Sequence, residues 1–161
     1  MKKPYFPLFI DLSQKKIVII GAGKIAQRRV ETLLEFAGNI LVAAPEATRR
    51  IRQLHEEGRI LWIQDAYHKE LLEGADLVLA ATDDAVCNEQ VIADCRARNI
   101  PANASHKKEL CDFYFPGIIR QEDLVIGFSS GGQNHREVRE AREKIEAALE
   151  AKPREDIRNC P

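Results

Sequence analysis

One glycine-rich string has residue types and spacing suited to chemistry: Gly21-Ala22-Gly23-Lys24-Ile25-Ala26. It follows Ile17-Val18-Ile19-Ile20, an unbroken β-branched run, and it precedes residues with helical spacing. In a strand–turn–helix setting the first glycine permits the tight turn. The second lets the backbone approach a pyrophosphate, and the small Ala26 permits close helix–strand packing. The helix N-terminus, beginning near Lys24 and Ile25, adds amide donors and the positive end of its dipole. The expected chemistry is capture of a dinucleotide, with Gly21, Gly23, Lys24, Ile25 and Ala26 as cofactor contacts. A tight turn with no ligand is the plainer alternative, and the strand before it and helix after it argue against that.

A ribose-binding acid is expected about 20 residues further on, at the end of the second strand. The residues there are Ala44, Pro45 and Glu46. Glu46 suits the ribose, although a carboxylate at a helix start is an equal reading. Arg49 and Arg50 offer charge to a 2′-phosphate but read better as solvated helix residues. NAD is therefore preferred over NADP. Thr82-Asp83-Asp84 follows a fourth apolar run, where open α/β sheets bind ligands. Thr82 and Asp83 are expected to line the cofactor crevice, and Asp83 or Asp84 to cap the next helix.

The elements needed to position these residues can be read along the chain. Residues 4–12 form an extended lead-in, because Pro4 and Pro7 oppose helix and central strand. Strands are expected at 17–20, 39–44, 60–63, 76–81 and 100–104. Helices are expected from the glycine loop to Gly38, over 48–57 and over 85–98, with a short turn at 68–72. Strand and helix alternating at this pace imply βαβ units and a parallel sheet. After Ser105 the pattern changes. Residues 113–120 and 124–128 read as a hairpin joined by Gln121-Glu122-Asp123. Asn134 is placed to cap a long charged helix reaching Ala151. Two strands and one helix make a poor core alone. This part is expected to pack against the first domain or a second copy of the chain.

Composition removes several classes. The 161 residues carry 24 Lys plus Arg, 25 Asp plus Glu and a net charge of −1. Forty-five per cent are hydrophobic, too many for a disordered chain. Near-neutral charge gives no general reason to bind nucleic acid or an anionic membrane. No apolar run approaches the ~20 residues that span a bilayer. No signal-peptide stretch follows Met1-Lys2-Lys3-Pro4, so a cytoplasmic location is expected. Cys87, Cys95, Cys111 and Cys160 lack metal-ligand spacing and read as free thiols, so no metal site is expected.

Motifs along nearly the whole chain fit one family. They are Tyr5-Phe6-Pro7-Leu8-Phe9, the Gly21–Ala26 loop, Arg28-Arg29, Ala44-Pro45-Glu46, Ala81-Thr82-Asp83-Asp84 and Asn103. Cys111-Asp112-Phe113, Phe115-Pro116, Asp123-Leu124-Val125-Ile126 and Ser129-Ser130-Gly131-Gly132 complete the set. In this order and spacing they resemble the precorrin-2 dehydrogenase family, the N-terminal part of siroheme synthases. The resemblance covers Pro4 to about Ala151. It implies a Rossmann-like NAD-binding domain over 1–112 and a small α+β dimerisation region over 113–151, in a homodimer. Residues 152–161 are expected to be a flexible tail. It also implies NAD-dependent oxidation of precorrin-2 to sirohydrochlorin for siroheme, with ferrous iron insertion in some members.

The substrate is a polycarboxylate, so basic residues near the cleft suit it. Arg28, Lys107, Lys108, His135, Arg136 and Arg139 are candidates, with His135 and Arg136 foremost because they follow the glycine loop. Asn103, Ser130 and Gly131 join them as expected substrate contacts through the family match. The family's Asn-x-x-Asp aspartate, assigned acid/base and chelation roles, is His106 in this chain. Histidine retains the chemistry of a general base near neutral pH. His106 is the expected catalytic residue and Asp112 a substitute carboxylate, with iron insertion weak or absent. Two further departures are Gln133-Asn134-His135, where Ser-Pro is common, and a chain that ends ten residues past the last helix. A cleft that is more open, or completed by another molecule, is therefore expected. The alternatives are a non-catalytic NAD- and tetrapyrrole-binding protein, or an iron-binding relative using His106 and His135.

Overall fold

The apolar run at 17–20 forms the centre of a parallel sheet. The computed structural model describes residues 5–151, which divide into two compact units. The larger unit is Leu8–Phe113. It holds β1 (Lys16–Ile20), α1 (Lys24–Leu33), β2 (Asn39–Ala43), α2 (Arg49–Glu56) and β3 (Leu61–Ile63). A 3-10 turn (Lys69–Leu72), β4 (Leu77–Ala80), α3 (Ala85–Ala97), β5 (Ala102–Ala104) and a second 3-10 turn (Lys108–Leu110) follow. The five strands are ordered β3-β2-β1-β4-β5, and every pairing is parallel. This is a Rossmann-like sheet, whose order reverses between β1 and β4.

Helices on the faces explain why the strands are apolar without alternation. Ile17, Val18, Ile19, Val42, Val78 and Ala80 are fully buried. From α1 come Ala26, Val30 and Leu33, and from α3 come Val91, Ile92 and Cys95. The start of the sheet is fastened by Asp76. Its carboxylate accepts from Lys15 Nζ and the Lys16 amide, both at 2.9 Å, and these donors hold it below the usual aspartate range. A lowered folded-state pKa stabilises above the unfolded value and is lost as pH falls toward the folded one. Asp76→Asn is therefore expected to flatten the acid side of the stability profile below about pH 4. Urea midpoints measured from pH 3 to 7 check this; profiles that remain parallel over that range contradict it.

Several boundaries differ from the sequence expectation. Helix α1 ends at Leu33 rather than at Gly38, with turns over 34–36. Gly58, at φ +69°, closes α2 by donating to the His55 carbonyl, while Arg59 donates to Leu54. Thr48 rather than Glu46 caps α2, its hydroxyl accepting from the Ile51 amide at 3.4 Å.

The smaller unit contains residues 5–7 and 114–151 of the described chain. The lead-in is thus divided: Tyr5 lies against Tyr114 with ring centroids 4.3 Å apart, and Leu8 onward belongs to the larger unit. β6 (Gly117–Gln121) and β7 (Leu124–Phe128) pair antiparallel about a two-residue turn, Glu122-Asp123. Gln121 pairs with Leu124, so it belongs to the strand and not to the turn. Residues 113–116 stay outside the ladder, and Pro116 has no N–H to give it. Helix α4 (His135–Glu150) packs on β6 at Gly117, where an added Cβ would lie 3.3 Å from Val138 Cγ1. Asn134 caps α4, accepting from the Glu137 amide at 3.0 Å. No residue of α4 is fully buried. The expectation of a tail over 152–161 lies outside the described residues.

Candidate functional site

The strand-order reversal brings the C-terminal ends of β1 and β4 together, and Gly21 leaves the sheet there. Gly21 is buried at φ +106° and donates to the Ala43 carbonyl at 2.8 Å. A Cβ on Gly21 would lie 2.5 Å from the Ala81 carbonyl oxygen and 2.9 Å from the Thr82 nitrogen. Backbone therefore passes against backbone, which only glycine allows. Gly23 is different. It is the N-cap of α1 at φ −79°, exposed, with nothing within 4 Å of an added Cβ. No side chain caps this helix, and its first turn has no acid. The leading amides of α1 thus face open space beside a residue without a side chain, which fits a pyrophosphate. Ala26 is fully buried against the sheet, while Lys24 and Ile25 are exposed at the mouth.

On the β2 side the expected contacts are Ala44, Pro45 and Glu46. Ala44 is buried, its amide donating to the Ile63 carbonyl at 3.2 Å and its carbonyl accepting from Trp62 Nε1 at 3.1 Å. Pro45 and Glu46 are exposed just beyond it. Arg50 is paired with Glu31 at 3.4 Å and lies 3.9 Å from Glu57. Arg52 holds the Ala47 carbonyl through two nitrogens, at 3.0 and 2.8 Å. Of the two arginines considered for a 2′-phosphate, Arg50 is thus engaged within the protein, whereas Arg49, the first residue of α2, is exposed.

On the β4 side, Thr82 is locked by Asn88, a residue that nothing in the sequence singles out. Asn88 is fully buried in α3. Its Oδ1 accepts from the Thr82 amide at 3.1 Å and lies 2.8 Å from the Thr82 hydroxyl, and its Nδ2 donates to the Thr82 carbonyl at 3.0 Å. Asp84 caps α3, its Oδ1 accepting from Val86 and Cys87, whereas Asp83 is exposed. Asn88→Ala would orphan two Thr82 backbone groups. It is expected to cost about 3 kcal/mol, read by urea unfolding. A loss below about 0.5 kcal/mol would show that the turn holds without this amide.

At the sheet edge, Asn103, Cys111 and Asp112 form a structural seam. Asn103 is buried, and its Nδ2 donates to the Phe113 carbonyl at 2.8 Å. Asp112 Oδ2 accepts from the Ala102 amide at 2.9 Å, and its own amide donates to the Ala102 carbonyl at 2.9 Å. Cys111 Sγ donates to the Ala104 carbonyl at 3.2 Å. These contacts cover the open edge of β5. Both Asn103 and Asp112 thus have structural partners already. His106 lies on the exposed turn after β5. Its neighbour Lys107 pairs with Glu89 of α3 at 2.9 Å. Burial raises the Cys87 and Cys111 thiols and takes Cys95 to about 11, so all three are protonated at neutral pH. No metal-holding cluster of His, Cys, Asp and Glu occurs among the described residues.

The remaining expected contacts belong to the smaller unit. Ser130 Oγ accepts from the Asn134 amide at 2.9 Å, and Gly131 and Gly132 both have positive φ. His135 and Arg136 are exposed on the first turn of α4, where Arg136 pairs with Glu140 at 2.6 Å.

The glycine loop lies within a sequence match. Residues 8–117 match a family model described as "Putative NAD(P)-binding". The chain belongs to this NAD(P)-binding family. Within it, the chain is 38% identical over 144 residues to a siroheme synthase of Psychrobacter sp. (strain PRwf-1), covering 89% of this chain and 30% of the relative. It is 37% identical over 147 residues to siroheme synthase 1 of Serratia proteamaculans (strain 568), covering 91% of this chain and 31% of that one. The chain thus spans about three tenths of the length of these relatives. A solved structure, "SirC, precorrin-2 dehydrogenase", superposes with a TM-score of 0.78 at 19% identity, covering 89% of this chain and 70% of that one. This family member shares that protein's fold.

Proposed function

We propose that this chain is an NAD-dependent precorrin-2 dehydrogenase, oxidising precorrin-2 to sirohydrochlorin on the route to siroheme. The observation that carries the reading is the paired glycine geometry, Gly21 pressed on Ala81 and Gly23 open at the α1 terminus. Similarity to siroheme synthases supplies the substrate class, and likeness in fold to a precorrin-2 dehydrogenase agrees with it.

NAD, when bound, accepts a hydride from the reduced macrocycle, and one proton leaves with it. The chain's own residues bind and orient. The amides of α1 hold the pyrophosphate, and Gly23 leaves room for it. Glu46 hydrogen-bonds the adenosine ribose, and its carboxylate favours NAD over the 2′-phosphorylated form. Thr82 and Asp83 line the crevice beside β4. His106 takes the proton, with Asp112 kept for the seam at β5. Ser130, Gly131, His135 and Arg136 bind substrate carboxylates, and Asn103 contributes by holding Phe113.

The apolar residues of α4, including Ile145 and Leu149, support pairing of this unit in a homodimer. A monomer mass in analytical ultracentrifugation would contradict that pairing. The enzyme would act in the cytoplasm on a soluble substrate; no described helix is long and apolar enough to cross a membrane.

The test is anaerobic incubation with precorrin-2 and NAD. Sirohydrochlorin absorbance should rise with NADH. Saturable binding of both ligands without turnover would instead establish a carrier of NAD and tetrapyrrole. Adding ferrous iron reads the second activity, which the replacement of an aspartate by His106 is expected to leave weak or absent.

A further inference from the structure

The chain contains one tryptophan, and it occupies the middle of a short edge strand rather than the core. Trp62 lies in β3 opposite Val42 of β2, half-buried. Its indole Nε1 donates to the Ala44 carbonyl at 3.1 Å, eighteen residues away in sequence. From the other direction the Ile63 carbonyl accepts from the Ala44 amide at 3.2 Å. Both polar groups of the Ala44 backbone are therefore fixed by the end of β3. His55 of α2 secures the indole in turn: its ring stands edge-on, centroids 6.2 Å apart at 85°, and its Nδ1 accepts from the Trp62 amide at 3.3 Å.

Ala44 is where β2 stops and the turn to α2 begins, with Pro45 and Glu46 exposed beyond it. The adenosine half of a dinucleotide lies over this side of a Rossmann sheet, and the acid after β2 meets its ribose. An indole N–H at Ala44 holds the turn that carries Glu46. Beyond Glu46 the turn is held by buried Ala47, whose carbonyl accepts from Arg52, and by the Thr48 amide on the Ala22 carbonyl. On the β2 side the indole N–H is the side-chain tie, and without it binding would bear the cost of ordering that end.

We propose that Trp62 is the positioning residue of the adenosine subsite: through the Ala44 carbonyl it preorganises the Pro45–Glu46 turn for the ribose. This rests on the dinucleotide reading given above. It adds a recognition element on β3, outside the glycine loop and without contact to the reacting atoms.

Two arms test it on the full chain. In the first, NADH, ADP-ribose and nicotinamide mononucleotide are titrated by calorimetry into the parent and Trp62→Phe, which keeps an aromatic ring and removes the N–H. NADH and ADP-ribose should each weaken about fivefold to tenfold, the size of one net hydrogen bond, with nicotinamide mononucleotide unchanged. In Trp62→Phe the further loss caused by Glu46→Gln should shrink, because the turn no longer presents that carboxylate. Equal affinity of parent and Trp62→Phe for NADH and ADP-ribose overturns the proposal, as does an equal loss for nicotinamide mononucleotide. The second arm needs no variant: ADP-ribose should change the emission of the single tryptophan, saturating at the concentrations that saturate binding. Emission unmoved by saturating ADP-ribose overturns the proposal while leaving the cofactor reading intact. A parent that binds neither NADH nor ADP-ribose overturns the cofactor reading, and this inference with it.

Discussion

Replacing Gly21 by alanine is expected to lower stability by about 3–5 kcal/mol. Two independent costs meet at this position. Its φ of +106° is one that an L side chain rarely adopts. The added Cβ would also lie 2.5 Å from the Ala81 carbonyl oxygen, and that neighbour is backbone of the central sheet. Ala81 cannot retreat easily, because its amide donates to the Ile20 carbonyl at 2.8 Å. Domains of this size hold roughly 5–15 kcal/mol, so Gly21→Ala should populate unfolded chains measurably. Urea denaturation reads it; a change under about 1 kcal/mol would show that β1 and β4 can part without penalty.

The second large effect comes two residues later and takes the opposite form. Gly23→Asp should fold as well as the parent or slightly better, yet lose about 100-fold or more in NADH affinity. The φ of −79° is open to any residue, no atom lies within 4 Å of the new Cβ, and aspartate is a favoured N-cap. The new carboxylate would satisfy the very amides that a pyrophosphate needs, and it repels that group's charge. Calorimetric titration with NADH beside a thermal melt separates the two readouts. A variant that melts normally and binds NADH like the parent would show that the pyrophosphate lies elsewhere. Together the two expected results would divide the motif, with Gly21 serving the sheet and Gly23 the ligand.

That division shows what was legible in the residues alone. The glycine loop is a local signal, since strand, turn and helix follow one another within ten residues of chain. The parallel sheet was legible for the same reason, through β-branched runs with no alternation. The Asn134 cap and a cap from Asp83 or Asp84 were also local, each needing one side chain and the amides just after it, and folding assigns the second to Asp84.

What escaped depended on contacts formed by folding. Asn88 reads as an ordinary helix residue until the turn after β4 puts the Thr82 backbone beside it. Trp62 reads as a strand aromatic until β3 aligns with β2 and the indole reaches Ala44. Asp112 reads in sequence as a spare carboxylate, and only folding brings its Oδ2 to the Ala102 amide of the edge strand. Periodicity marked the hairpin but not its turn, because cross-strand pairing places Gln121 in the ladder. Glu46 competed for two roles in sequence, and Thr48 takes one of them by capping α2.

The most direct single measurement is the stoichiometry of NADH against sirohydrochlorin in an anaerobic reaction of the purified chain with precorrin-2 and NAD. Removing a hydride and a proton from the macrocycle requires one NADH for each sirohydrochlorin formed. A one-to-one ratio is expected, with the Gly23→Asp chain forming neither product above background. Sirohydrochlorin accumulating without NADH, or no NADH above the level of Gly23→Asp, would contradict it.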